Sequence, residues 1–158
     1  MGNEKVGYIE ALRRKIGHDP IFMPCAGCAV FDGAGRLLLQ QRGDDRGTWG
    51  LPGGAMELGE TIEAAAVRET FEETGLRVRT DTLLGVYTGE AHTYANGDVV
   101  QSVVVVLTAT AVEGRMTEDG IETVGLAWFP LDELPSPIFA PHQDMLDDLR
   151  DGKRATWT

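Results

Sequence analysis

Three glutamates, Glu69, Glu72 and Glu73, have the residue type and the spacing that metal-assisted chemistry requires. They lie in residues 61–74, a segment rich in Ala and Glu without Gly or Pro, which predicts a helix. At about 100° per residue, the three carboxylates fall within an arc of about 100°. Like charges this close cost about 0.2–0.5 kcal/mol per pair, so we expect a cation between them unless the face is merely solvated. Carboxylate oxygens suit Mg²⁺, which shares its other positions with waters and substrate phosphates.

The predicted helix has a signal at each end. Thr61 is placed to cap its N-terminus, and Gly75 stands where a left-handed residue would end it. The face opposite the glutamates, which we expect to pack against the rest of the protein, carries Ala64, Val67 and Phe71. The helix should therefore bury one side and direct its carboxylates from the other.

The spacing of glycines and charged residues around this helix is the most specific pattern in the chain. Residues 54–76 read GAMELGETIEAAAVRETFEETGL. This segment resembles the signature box of the Nudix hydrolases, in which Gly, Glu, Arg-Glu, an apolar residue, Glu-Glu, Gly and a final apolar residue stand at fixed intervals. Eight of the nine defined positions match, and the exception is Thr70, where an aliphatic residue is usual. Thr70 should point away from the glutamates, so we expect altered packing and no lost chemistry.

The resemblance implies a role for each matched residue of the box. It implies that Mg²⁺ or Mn²⁺ binds to Glu69, Glu72 and Glu73, often with the carbonyl of Gly53. Glu57 matches a position that contacts metal in some members and is idle in others, so both roles stay open. The structural residues of the box would be Gly54, Glu60, Arg68 and Gly75, of which Glu60 and Arg68 usually form a salt bridge.

The resemblance also implies a reaction, the metal-assisted hydrolysis of a pyrophosphate bond. The substrate would be a nucleoside diphosphate linked to another moiety: a nucleotide sugar, ADP-ribose, a normal or oxidised nucleoside triphosphate, or a dinucleoside polyphosphate. Glu72, Glu73 and Glu122 are the predicted catalytic residues, and either Glu72 or Glu122 would accept the proton of the attacking water. Glu122, six residues before Trp128, resembles a distant acid of several members, although a solvated loop residue would fit the sequence equally well.

Substrate contacts are expected outside the box. Residues 40–54 are polar and Gly-rich, which predicts a surface loop, and Arg42 and Arg46 could bind phosphate oxygens there because a guanidinium matches their geometry. Tyr94 resembles a tyrosine associated with dinucleoside polyphosphate hydrolysis, although a plain strand-end residue would suit the same position. In the ADP-ribose branch a proline usually stands sixteen residues after the box, and this chain has His92 there. The substrate therefore stays open.

Two other classes of function are compatible with the sequence. A non-catalytic Nudix-like module could sense a nucleotide or dock a partner, but such modules commonly lose metal glutamates, and this chain keeps all three. Cys25 and Cys28 form a CxxC pair that could be a redox couple or half a zinc site, without a second pair to complete it. Residues three apart on a strand face opposite sides, so we expect two small buried thiols. An enzyme is the function that we predict.

Length and charge set broad limits. The 158 residues suit a single Nudix-type domain over residues 1–158, and 42% hydrophobic residues are ordinary for a globular protein. The net charge of −11 disfavours a nucleic-acid polymer or an anionic membrane as partner, because basic surfaces bind phosphate backbones. A small nucleotide stays compatible if a metal and a few arginines screen its charge. No membrane-span or signal-peptide pattern occurs, so we expect a cytoplasmic location.

The remaining elements should form layers around the box. Residues 4–16 have helical spacing and would serve as a surface helix over a sheet edge or as the arm of a homodimer. Strands are predicted at residues 26–31, 36–42, 83–87, 99–110 and 126–129, and a last helix at 141–151. The apolar residues 99–110 should cross the middle of a sheet covered on both faces. The resemblance implies an α/β fold, a three-layer α/β/α sandwich around a mixed β-sheet.

Overall fold

A mixed sheet forms the middle of the protein. The computed structural model describes residues 7–44 and 47–158. The strands in these ranges are β1 (Ile21–Phe31), β2 (Leu37–Arg42), β3 (Trp49–Gly50), β4 (Gly53–Ala55), β5 (Leu76–Thr88), β6 (His92–Thr93), β7 (Val99–Gly114), β8 (Thr123–Phe129) and β9 (Thr156–Trp157). The helices are α1 (Tyr8–Ile16), α2 (Ile62–Thr74) and α3 (Gln143–Arg150), and a 3₁₀ turn (Ala140–His142) precedes α3.

The long strand β7 lies in the middle of this sheet. It pairs in parallel with β1, from Ile21 opposite Val100 to Phe31 opposite Thr110, and antiparallel with β5 on its other side. The strand order is β3-β2-β1-β7-β5-β9, with β4 paired to β1, β6 to β7 and β8 to β2. The predicted crossing of the sheet centre by this apolar run is therefore confirmed.

Helices cover both faces of the sheet. On one face a buried cluster joins strand residues to α3: Ala29, Leu37, Leu39, Leu84, Val106, Met145, Leu146 and Leu149. On the other face a second cluster joins strand residues to α2: Ala26, Cys28, Val30, Leu38, Ala65, Ala66 and Ala109. Neighbouring side chains on a strand alternate, so β1 and β2 contribute to both clusters. The predicted three-layer α/β/α sandwich is confirmed.

The face by which α2 packs differs from the predicted one. The helix buries a stripe of small residues: Ala65, Ala66, Thr70 and Thr74. The predicted stripe is wrong, because Ala64 is exposed and Phe71 keeps 46% of its surface exposed beside the guanidinium of Arg77. The Thr70 hydroxyl donates to the carbonyl of Ala66 at 2.8 Å, and a hydroxyl satisfied in this way is buried at little cost. A pattern that counts only apolar residues therefore missed the buried face.

The two terminal helices also differ in part from the prediction. α1 ends at Gly17, whose φ is 64°, and positions 4–6 of the predicted helix lie outside the described residues. The predicted start of the last helix at residue 141 is wrong, because Pro141 lies in the 3₁₀ turn and α3 begins at Gln143. In this turn the His142 N–H donates to the Phe139 carbonyl at 2.8 Å. In the part of the chain that the structure describes, no helix has the length and apolar content needed to cross a bilayer.

Candidate active site

Local interactions fix both ends of α2, the helix that carries the glutamates. The Thr61 hydroxyl accepts a hydrogen bond from the Ala64 N–H at 3.1 Å, so it satisfies one of the free amides of the first turn. Gly75 ends the helix with a φ of 72°, and its N–H donates to the Phe71 carbonyl at 2.8 Å. A Cβ at Gly75 would lie 2.5 Å from the carbonyl oxygen of Arg115, which excludes a side chain there.

Paired glycines bring the backbone of β4 against the carboxylates of α2. Gly53 lies opposite Gly27 of β1, and a Cβ on Gly53 would be 2.7 Å from the Gly27 Cα. A Cβ on Gly54 would be 2.7 Å from the Glu69 carboxylate. Because neither position has a side chain, the Gly53 N–H reaches Glu73 Oε2 at 2.8 Å. The glycines therefore act by allowing close approach.

Arg68 connects the acidic residues of the box. Its guanidinium donates to both oxygens of Glu60, at 2.6 and 2.9 Å, and to the Ala55 carbonyl at 3.1 Å. It also donates to Glu69 at 2.6 Å and to Glu72 at 3.1 Å. These carboxylates raise the pKa of Arg68 further above its ordinary value, so it stays charged. A single cation thus holds the loop before α2 against the helix and partly neutralises its acidic face.

A cavity of about 450 Å³ opens beside α2. Its lining includes Gly53, Gly54, Glu69 and Glu73 from the box region and Gln40, Arg42, Asp44, Tyr94, Ser102, Glu122 and His142 from elsewhere in the chain. Glu69 therefore meets four other predicted functional side chains here: Arg42, Glu73, Tyr94 and Glu122. Glu72 and Glu57 are not among the residues that line this cavity.

The carboxylates of Glu69 and Glu73 in the cavity wall have too little positive charge around them to keep both readily ionised. Burial, together with the charge of the nearby Glu69, raises the pKa of Glu73 to about 8. The Gly53 N–H, Arg42 and Gln40 oppose this rise without cancelling it. Burial likewise raises the pKa of Glu69, against the hydrogen bond from Arg68. The ionised pair is therefore disfavoured unless a cation binds nearby.

The other two predicted metal ligands have different surroundings. The Glu72 side chain is 56% exposed and its carboxylate pairs with Arg68. Glu57 Oε2 accepts a hydrogen bond from the Tyr8 N–H at 2.9 Å, at the N-terminus of α1. Among the described residues, no three His, Cys, Asp or Glu side chains are already arranged around one point. A metal held by all the predicted ligands would require side-chain movement.

The predicted phosphate-binding residue Arg42 and the predicted substrate-binding residue Tyr94 line the cavity from outside the box segment. The Arg42 guanidinium donates to both oxygens of Asp44, at 3.0 and 2.8 Å, and lies 4.3 Å from the centre of the Phe139 ring. Arg46 lies outside the described residues. The Tyr94 ring contacts the His92 ring edge to face, with centroids 4.9 Å apart. Arg42 thus faces the cavity with its charge already partly neutralised.

Glu122 is held by the loop that precedes β8. Asp119 Oδ1 accepts hydrogen bonds from three successive amides, those of Ile121, Glu122 and Thr123, at 2.8, 2.9 and 2.9 Å. The Glu122 carbonyl accepts from the Gly43 N–H at 2.9 Å. These bonds fix the backbone that places Glu122 at the cavity.

Two residues of the cavity wall were missed from the sequence. Gln40 donates to Glu73 Oε2 at 2.9 Å, but its position in LLLQQR gives no sign of this contact. His142 was not expected to have a role, yet its Nδ1 accepts from the Leu51 N–H at 3.0 Å. Burial and the charge of Arg42 lower the pKa of His142 to about 3, so the ring is neutral. A glutamine at the first position of the predicted loop and a histidine after a proline were the only local signals.

Comparison with known proteins gives a consistent family. The model of the NUDIX domain matches residues 21–149. A MutT-like protein of Streptomyces ambofaciens is 35% identical over 118 residues, covering 75% of this chain and 70% of that protein. An ADP-ribose pyrophosphatase of Methanocaldococcus jannaschii is 36% identical over 113 residues, covering 71% of this chain and 63% of that protein.

Solved structures agree with the sequence comparison. The crystal structure of a MutT NUDIX hydrolase from Burkholderia pseudomallei superposes with a TM-score of 0.69 at 33% identity. The similarity covers 82% of this chain and 98% of that chain. The chain therefore belongs to the Nudix hydrolase family.

Proposed function

We propose that this Nudix hydrolase cleaves the pyrophosphate bond of a nucleoside diphosphate linked to another moiety, with a divalent cation held by the box glutamates. The observation that carries the proposal is the pair of half-buried carboxylates, Glu69 and Glu73, in the wall of the cavity. Their raised pKa values mean that the ionised pair lacks compensating charge. A solvated acidic helix face would not have this property, because water would stabilise both carboxylates.

The chemistry of these donors fits Mg²⁺ or Mn²⁺. Carboxylate and carbonyl oxygens are hard ligands, and such ions take few protein ligands while leaving positions for substrate phosphates. Glu69 and Glu73 would hold the cation, with Glu72, the Gly53 carbonyl and Glu57 as further ligands. When bound, the cation would neutralise phosphate charge and lower the pKa of a nearby water. Glu57 would first have to release the amide of Tyr8, so it is the weakest of these assignments.

The other residues of the cavity have distinct proposed tasks. Arg42 binds phosphate oxygens of the substrate, for which its guanidinium must exchange Asp44 for phosphate. Glu122 accepts the proton of the water whose oxygen attacks phosphorus, and the bridging oxygen leaves with the electron pair of the broken P–O bond. We favour Glu122 over Glu72 as this base, because Glu122 lines the cavity and Glu72 pairs with Arg68 in solvent.

The substrate class is the least restricted part of the proposal. A relative with a named substrate is an ADP-ribose pyrophosphatase, which supports testing ADP-ribose first. Tyr94 lines the same cavity as the glutamates, and Phe139 lies beside Arg42. Aromatic rings in such positions are suited to contact a base or a ribose.

A product assay tests the proposal. The protein is incubated with ADP-ribose, nucleotide sugars, 8-oxo-dGTP, normal dNTPs and dinucleoside polyphosphates, each with Mg²⁺ or Mn²⁺, and products are separated by ion-exchange chromatography. We expect a nucleoside monophosphate and a second phosphorylated product from at least one substrate, with activity lost in EDTA and restored by Mg²⁺. Tight binding of a nucleotide without turnover under all these conditions would instead favour a non-catalytic module.

A further inference from the structure

Two buried polar side chains, Gln40 and Thr123, are connected to Glu73 by hydrogen bonds. Gln40 is 1% exposed and Thr123 is 0% exposed. The Thr123 hydroxyl donates to Gln40 Oε1 at 2.7 Å, and Gln40 Nε2 donates to Glu73 Oε2 at 2.9 Å. The three side chains therefore form a chain of hydrogen bonds from β8, through β2, to the box helix.

An irregularity in the sheet creates this chain. β2 and β8 pair in regular register from Leu37 to Gln41, and the register then shifts so that Arg42 lies opposite Thr123. One residue of β8, Val124, is left without a partner at this point. A bulge of this kind redirects the side chains near the shift, and here it allows the Thr123 hydroxyl to reach Gln40.

Three groups bear on which way the Gln40 amide points: the Thr123 hydroxyl at Oε1, and Glu73 Oε2 and the Leu51 carbonyl, the latter at 3.5 Å, at Nε2. A glutamine side chain has an accepting oxygen and a donating nitrogen, and the two exchange places when the amide turns over. The Leu51 carbonyl and the ionised Glu73 carboxylate only accept, so they favour the orientation with Nε2 toward them. The Thr123 hydroxyl, which could donate or accept, then donates to Oε1 and helps to hold the amide in that orientation. The reversed amide would bring its oxygen against a carboxylate oxygen, which is repulsive.

We propose that Gln40 and Thr123 are positioning residues that orient the Glu73 carboxylate for cation binding, an inference that rests on the proposed function. Gln40 Nε2 and the Gly53 N–H both donate to Oε2 of Glu73, at 2.9 and 2.8 Å. Among the described residues none donates to Oε1, so Oε1 is the oxygen offered to a cation. The arrangement separates the two oxygens of Glu73 into one that is anchored and one that binds.

The same hydrogen bonds connect Glu73 to the loop that carries Glu122, the proposed base. Thr123 follows Glu122 directly, and the amides of both residues donate to Asp119 Oδ1 at 2.9 Å. A change in this loop would therefore be transmitted through Gln40 to Glu73. Glu73 and the backbone of Glu122 are placed by one connected set of hydrogen bonds, although they lie far apart in the sequence.

The test compares Gln40→Met, Thr123→Val and Thr123→Ser with Thr108→Val. Thr108 is also a buried threonine, 6% exposed, but within the described ranges its hydroxyl bonds only with Thr82, so Thr108→Val controls for the loss of any buried hydroxyl. Mn²⁺ dissociation constants are measured without substrate by electron paramagnetic resonance, and kcat and KM are measured with Mg²⁺. Thermal unfolding of each variant shows whether it is folded.

For Gln40→Met we expect Mn²⁺ binding to weaken by about 10–100-fold, the usual effect of removing a group that orients a metal ligand. Thr123→Val should weaken it in the same direction by a smaller factor, Thr123→Ser should restore it because serine keeps the hydroxyl, and Thr108→Val should leave it unchanged. Unaltered Mn²⁺ binding in folded Gln40→Met and Thr123→Val proteins would overturn the positioning role.

A metal-free measurement separates this inference from the proposed function. In wild-type protein without metal, nuclear magnetic resonance should show the Gln40 side-chain amide protons in slow exchange with solvent. Thr123→Val should speed this exchange, whereas Thr108→Val should not. If the wild type shows no hydrolysis, the proposed function fails while this measurement still tests whether the Thr123 hydroxyl holds the Gln40 amide in place. Equal exchange rates in both variants would refute the role of Thr123.

Discussion

The two sides of the active-site cavity are built in contrasting ways. On the α2 side, one contiguous segment supplies the acids, the capping residues, the glycines and the arginine that connects them. The rest of the lining, called the opposite side below, includes Arg42, Tyr94, Glu122 and His142, which come from four separate parts of the chain. The first side is fixed by close approach and ion pairs, and the second by individual hydrogen bonds from loops. The contrast indicates that the proposed cation site is encoded locally, whereas the proposed base and the proposed substrate contacts depend on the assembled fold.

Glu73→Gln should produce the largest loss, because it removes the charge that the cavity holds for a cation. We expect kcat to fall by at least about 100-fold, comparable to the loss of a major electrostatic contact in other enzymes. The amide oxygen of the variant side chain can still accept from the Gly53 N–H, so circular dichroism should show an unchanged fold. Near-normal kcat in the folded variant would remove Glu73 from the mechanism.

Gly54→Ala tests whether the glycines act through close approach. The new Cβ would lie 2.7 Å from the Glu69 carboxylate, so this carboxylate must leave its position beside β4. We expect a loss of stability of about 1–3 kcal/mol, as is usual when atoms are inserted into a packed region, together with a lower kcat. Chemical denaturation measures the first and the product assay the second. Gly33→Ala, at a position with no atom within 4 Å of a new Cβ, is the matched control.

The variants Arg42→Met and Asp44→Asn test the opposite side, and we expect them to change KM in opposite directions. Arg42→Met should raise KM by about tenfold or more, since a hydrogen bond to a charged group contributes about 1.5–3 kcal/mol. Asp44→Asn should lower KM, because it frees Arg42 from its carboxylate partner. Steady-state kinetics with ADP-ribose or another active substrate gives both values. A KM unchanged in both variants would show that Arg42 does not contact substrate.

His142→Asn should have the smallest effect near neutral pH and a clear effect in acid. Folding lowers the pKa of His142 from 6.5 to about 3, so below 6.5 the unfolded chain takes up a proton that the folded protein refuses. This contribution to stability is complete above pH 6.5 and is lost as the pH falls toward about 3. The unfolding free energy of wild type relative to His142→Asn should therefore drop by about 1.4 kcal/mol per pH unit in that window. A constant difference between the two proteins would mean that His142 is not buried neutral.

Sequence patterns predicted the α2 side well because its determinants are local. The cap at Thr61, the end at Gly75 and the spacing of the glutamates all depend on residues within a few turns of each other. The buried face of α2 was misjudged for a physical reason, since Thr70 and Thr74 satisfy their hydroxyls within the helix and pack as small apolar residues.

The opposite side could not be predicted to the same degree. Gln40 and Thr123 meet because β2 and β8 pair with a register shift, and no pattern in either strand predicts that shift. His142 reaches the Leu51 amide from a turn 91 residues away. Arg42 could be identified as a candidate cation, but its pairing with Asp44 depends on the path of the loop. Long-range register and loop path are properties of the folded chain.

A crystal structure with Mn²⁺ and a methylene-bridged ADP-ribose analogue tests the central claim most directly, because the anomalous signal of manganese locates the cation independently of the ligand. We predict manganese bound to Glu69 and to Oε1 of Glu73, with the diphosphate group in the cavity between these acids and Arg42. Manganese absent from both carboxylates, with the analogue bound at another surface, would contradict the account.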